Sequence, residues 1–79
     1  MKNKSIEINL NNPEKIKRFL QVVRTFMSDV DIMKGRAVLD AKSVMGVWGL
    51  DLSSSVFVSI NSDNVEEIRK FDAAMEEFR

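Results

Sequence analysis

No cysteine occurs anywhere in these 79 residues. A chain this short folds around one small core, and without a disulfide that core is held by apolar packing alone. Cores of this size leave only about 3–5 kcal/mol of net stability, so most of the periodic apolar residues have to contribute. The missing cysteine also removes thiolate catalysis and the commonest zinc sites. Histidine is absent as well, which takes away the usual general base and the imidazole metal ligand. Ser-His-Asp and Cys-His catalysis are therefore excluded in any fold, and neither a metal nor a cofactor is expected.

Apolar periodicity divides the chain into short elements. From Lys4 to Leu10 the residues alternate, with Ile6, Ile8 and Leu10 on one side and Ser5, Glu7 and Asn9 on the other, which predicts a half-buried strand. Asn11-Asn12-Pro13 breaks it. Asn12 suits a helix N-cap, and Pro13 suits the first helical position, where its missing N–H costs nothing. Ile16, Phe19, Leu20, Val23, Phe26 and Met27 then recur at helical spacing, with Lys15, Lys17, Arg18 and Arg24 elsewhere. Asp29–Met33 and Arg36–Ala41 flank Lys34-Gly35, which reads as a hairpin turn. Val30 and Ile32 face one side, and Ala37, Leu39 and Ala41 share it. The run Val44, Met45, Val47, Trp48, Leu50 and Leu52 is interrupted by Gly46 and Gly49, so the helix expected there is short. Ser53-Ser54-Ser55 reads as a loop, and Val56, Val58 and Ile60 alternate as a strand. Asn61–Asn64 forms a turn and cap, and the last helix carries Val65, Ile68, Phe71, Met75 and Phe78 on one face.

The order is strand, helix, strand, strand, short helix, strand, helix, an α+β pattern with no repeat and no linker. With every helix on one face, the strands form a four-stranded antiparallel open-faced β-sandwich. A right-handed crossover through the first helix requires the last strand to lie between the first two, a split arrangement. Acidic and basic residues balance at 12 each, so the molecular field gives no reason to expect nucleic acid or an anionic membrane as partner. The N-terminal MKNKSIEINLNN lacks the apolar stretch of a secretory signal. No segment approaches the roughly 20 apolar residues of a membrane span, so the expected location is cytoplasmic.

Lys42-Ser43-Val44-Met45-Gly46-Val47, preceded by a hairpin and followed by Trp48-Gly49-Leu50, resembles the regulatory-serine region of HPr, the phosphocarrier of the bacterial sugar phosphotransferase system. The resemblance runs without gaps from about Ser5 to Ile60, and the following helix completes the family's element order. It implies that residues 1–79 form a single HPr-like domain, βαββαβα, with three helices on one face of the sheet. It also exposes a departure. Ungapped, the family's phosphorylated histidine falls on Asn12 and its phosphate-binding arginine on Glu14. An amide has no nucleophilic nitrogen, and a carboxylate repels a phosphoryl group where a guanidinium would fork onto it. The serine, however, is kept. A divergent branch, catabolite repression HPr, likewise lacks the histidine and keeps this serine. There an ATP-dependent kinase phosphorylates it, and the phosphorylated form binds a transcriptional regulator. The resemblance thus implies Ser43 as a regulatory phosphorylation site, with an HPr kinase and a transcriptional regulator as protein partners.

Each candidate also has a plainer reading. Ser43, where a strand hands over to a short helix, is an N-cap worth about 1 kcal/mol. A phosphate on the same oxygen would meet the same donors, with Lys42 as a neighbouring cation and Asp40 working against it. Val44, Met45 and Trp48 are candidate partner-binding residues, because one short helix cannot bury them together with Val47 and Leu50. Met33, Val38 and Phe57 lie on the strand face opposite the core, as scattered exposed residues or, if contiguous, as a docking or dimer surface. Asn12, Pro13 and Glu14 read as helix-start chemistry, and Lys15, Lys17, Arg18 and Arg24 as a solvated face. Glu66, Glu67, Glu76 and Glu77 frame the last helix, with Arg69 and Lys70 available for pairing one turn away. The leading expectation is a regulatory, non-enzymatic HPr-like module switched at Ser43 through the Ser43–Trp48 surface. The competing one is an interaction or homodimerisation module that is never phosphorylated.

Overall fold

Alternation and helical periodicity become elements largely where the pattern places them. The computed structural model describes residues 5–79, so Lys4, the first residue of the expected leading strand, lies outside the described residues. Strand β1 spans Ile6–Ile8, helix α1 Pro13–Val23, β2 Val30–Lys34, β3 Ala37–Asp40, α2 Val44–Trp48, β4 Val56–Ile60 and α3 Val65–Met75, followed by a 3₁₀ turn at Glu76–Phe78. Leu10 lies beyond β1, yet it is fully buried.

The strands form one sheet in the order β1-β4-β2-β3, with every neighbouring pair antiparallel. β4 therefore separates β1 from β2, the split arrangement the crossover required. Registers Ile6↔Val58, Ile32↔Val58 and Ile32↔Leu39 bring the apolar sides of all four strands to one face. Against that face pack Phe19 and Val23 of α1, Val47 of α2, Phe71 and Met75 of α3, and Phe78. Phe19 meets Phe78 edge-on at 5.7 Å between ring centroids, and Phe26 meets Phe71 at 5.5 Å, a geometry that suits the ring quadrupoles. No polar or charged side chain is buried among the described residues. The side chains of the interior therefore bring no desolvation cost, and only the backbone groups have to be offset by hydrogen bonds.

Four expectations are corrected here. The hairpin turn is Gly35-Arg36, not Lys34-Gly35, because Lys34 is a paired strand residue opposite Ala37. Gly35 takes φ +57°, a left-handed conformation in which a β-carbon would be strained. Met27 does not sit on the buried face of α1. That helix ends at Val23, where the Thr25 hydroxyl donates to the Val22 carbonyl at 2.7 Å. Phe26 then turns inward, while Met27 is 96% exposed. Val65 is also exposed, as the first residue of α3 directly after its cap Asn64. Finally, Arg69 and Lys70 form no ion pair among the described residues, where pairing within α3 was expected; the pairs present are Arg18–Glu77 and Arg79–Glu76, both at 3.1 Å.

Candidate functional site

The chain leaves β3 at Asp40, buries Ala41, and enters α2 through Lys42 and Ser43. Ser43 adopts φ −84° and ψ 103°, the extended conformation of an N-cap. Its Oγ accepts the Gly46 N–H at 3.3 Å, and its carbonyl accepts the Val47 N–H at 3.0 Å. The side chain is exposed. Gly46 permits this close approach, since a β-carbon there would lie 3.1 Å from Ser43 Oγ.

One turn of helix then divides its apolar residues between core and solvent. Val47 is fully buried and anchors α2, and Val44 is half-buried against the core. Met45 is 85% exposed and Trp48 43%. Exposed methionine and tryptophan on the helix that an exposed serine caps are residue types that contribute strongly to protein contacts.

The charges around Ser43 differ from expectation. Lys42 is not a free neighbouring cation: its ammonium donates to the Phe26 carbonyl at 2.8 Å, tying the start of α2 to the loop after α1. The Lys42 N–H in turn donates to Asp40 Oδ1 at 2.9 Å. That leaves the Asp40 carboxylate near Ser43 without an ion-pair partner among the described residues.

Asn12 caps α1, with Oδ1 accepting the Lys15 N–H at 2.9 Å and Pro13 at the first helical position. Glu14 is exposed in the first turn, where a carboxylate favours the helix dipole. These are helix-start roles, and with no histidine in the chain the residues contain no phosphoryl-accepting imidazole.

Glu67 has a role the sequence reading missed. It lies on α3, and its carboxylate accepts the Met27 and Ser28 N–H groups at 3.0 Å each and the Ser28 hydroxyl at 2.5 Å. The Ser28 hydroxyl, then the Ser62 hydroxyl and the Ser28 N–H, hold its carboxyl down to about 2, well below the ordinary 4.5. A polar signal was present, since Asn64-x-x-Glu67 has capping-box spacing. The Asn64 side chain does cap α3, accepting from Glu66 and Glu67 N–H. Glu67, however, reaches across to the loop after α1 instead of back to Asn64. A concavity of about 600 Å³ sits beside this tie, bordered by Phe26, Met27, Asn64, Lys70 and Ala74. It does not include Ser43.

Comparison with protein-family models finds no match, and comparison with curated proteins finds none. Solved structures do match, and they give this fold as HPr-like. The phosphocarrier protein HPr from Bacillus anthracis str. Ames superimposes with a TM-score of 0.73 at 21% identity, over 98% of this chain and 100% of its own. HPr-C-His from Thermoanaerobacter tengcongensis gives 0.70 at 24% identity, over 95% of this chain and 93% of its own. At these identities the shared property is the fold: a four-stranded antiparallel open sheet covered on one face by helices. Among the described residues no helix is long and apolar enough to cross a membrane.

Proposed function

We propose that this chain is a single-domain, non-enzymatic regulatory module of the cytoplasm, built on an HPr-like scaffold and related to the sugar phosphotransferase system. It performs no phosphohistidine transfer. Phosphorylation of Ser43 switches its binding to a partner protein, and Met45 and Trp48, with the half-buried Val44 beneath them, form the docking surface. The observation that carries this reading is the pairing of an exposed Ser43 with exposed Met45 and Trp48 on one helical turn anchored by Val47. Asn12 and Glu14, at the positions where the resemblance puts the phosphohistidine and its arginine, support the loss of phosphocarrier chemistry. By the same resemblance the enzyme and target are an HPr kinase and a transcriptional regulator.

The kinase has to dock beside Ser43, so the rate of phosphorylation tests serine and surface together. With ATP and a bacterial HPr kinase, the parent gains one phosphate, Ser43→Ala gains none, and Met45→Ser is modified about tenfold more slowly, as expected for loss of an interface anchor. Phosphate incorporated equally into parent and Ser43→Ala rejects the assignment, and an unchanged rate for Met45→Ser rejects the docking surface.

A second reading, an interaction or dimerisation module that is never phosphorylated, is favoured by a separate observation. Val38, Met33 and Phe57 are directly paired across three adjacent strands, so the apolar groups of the open face form one continuous row.

A further inference from the structure

The uncovered face of the sheet carries a charge pattern that is complementary to itself. Its apolar row runs Val38–Met33–Phe57 and ends at Glu7 on the outer strand β1. Val38 and Phe57 are 61% and 44% exposed. Two residues along β3 to one side of the row stands Asp40, directly opposite Asp31 on β2. Like charges facing each other across a ladder are destabilising, and neither carboxylate has an ion-pair partner among the described residues. On the other side, in the hairpin turn just before β3 and two residues from Val38, stands Arg36, which also makes no ion pair among them. Strand geometry puts Asp40 about 7 Å from the Val38 level and on the side of Val38, and Arg36, exposed in the turn beyond the other end of β3, has a side chain long enough to reach over the same face.

We infer that this face binds a second copy of the chain through a two-fold axis lying along the Val38–Met33–Phe57 row. Such an axis sets Val38, Met33 and Phe57 against their own counterparts and reverses the direction along the strands. Asp40 of one copy then meets Arg36 of the other, and the same contact recurs on the opposite side, as an isologous interface requires. An axis running along the strands would instead stack Asp31 on Asp31. Sheets packed face to face stand about 10 Å apart with strands within roughly 30°, a gap that apolar side chains from both copies fill. Glu7, at the end of the row, also faces its own counterpart, but at the exposed rim, where solvent and salt screen the like charges and its carboxylate already accepts the Ser55 hydroxyl. The α2 surface is not part of this contact. The inference deepens the second reading above and rests on it.

Charge reversal tests the geometry by sedimentation velocity from about 10 μM to about 1 mM, the range in which small interfaces associate. The parent dimerises. Asp40→Arg and Arg36→Asp each weaken the dimer about tenfold or more, because each turns both contacts repulsive. An equimolar mixture of the two variants, and the Asp40→Arg/Arg36→Asp double variant, both recover association. Circular dichroism confirms folding, since Asp40→Arg removes the Asp31–Asp40 repulsion and Asp suits a turn following Gly35. Phe57→Ser weakens every combination. A dimer indifferent to both reversals overturns this geometry while leaving self-association standing. A parent that remains monomeric throughout overturns both.

Discussion

Ser43 Oγ stands 3.3 Å from the Gly46 nitrogen whose N–H it accepts, long for a cap hydrogen bond, and a β-carbon on Gly46 would lie 3.1 Å from that oxygen, which would have to give by a few tenths of an ångström. The two residues are therefore coupled. Replacing a helical glycine by alanine ordinarily stabilises by about 1 kcal/mol, but here the new methyl group meets the serine hydroxyl. Gly46→Ala in the parent is expected to yield little net stabilisation, whereas in the Ser43→Ala background it yields about 1 kcal/mol. A double-mutant cycle in urea measures this coupling, and equal effects in both backgrounds contradict it. The cap was legible in the sequence, because a serine directly before a glycine-broken apolar run starts the helix; how Val44, Met45 and Trp48 divide between core and solvent was not, because the run shows only that they cannot all be buried. The fate of Lys42 was not. Its neighbourhood in sequence is Ser43, but its long side chain reaches the Phe26 carbonyl, a contact set by the return of β3 past the end of α1.

Among the elements, α1 and the final 3₁₀ turn hold each other through Phe19 against Phe78 and Arg18 against Glu77. The Asn9 N–H donates to the Phe78 carbonyl at 2.7 Å, so the last turn is also tied to the segment after β1. The Glu67 tie joins α3 to the loop between α1 and β2. Because its carboxyl is held near 2 when folded and titrates near 4.5 otherwise, the ionised form favours folding above pH 4.5. That advantage disappears as pH falls toward 2. Thermal unfolding of the parent and Glu67→Gln across this range is expected to show a stability difference that is full at neutral pH and shrinks below pH 4.5. A difference independent of pH contradicts the tie. The pattern of elements was readable because periods of two and 3.6 separate cleanly here, and the split order followed from handedness. Cross-element polar ties were not, since Glu67, Glu66 and Glu77 look alike on a helix until the fold brings Ser28 or Arg18 opposite one of them. Met27 shows the same limit: helical spacing continues through it, but the helix stops at Val23.

For the whole molecule, sheet order decided what alternation left open. Met33, Val38 and Phe57 could have been scattered, and the order β1-β4-β2-β3 makes them neighbours. The HPr-like fold, in turn, leaves the functional question to particular residues, because one scaffold can carry different activities. On the proposed function, the scaffold has lost phosphoryl transfer through histidine and is addressed through Ser43 instead. Two phosphoryl donors supplied side by side test it, with intact mass as the readout and a histidine-containing HPr as control. Phosphoenolpyruvate with the general enzyme of the phosphotransferase system should leave this chain unmodified, while ATP with HPr kinase should add one phosphate that Ser43→Ala abolishes. Transfer from phosphoenolpyruvate, or no modification by the kinase while the control is modified, would overturn the assignment of Ser43 as the regulatory site of a non-phosphocarrier.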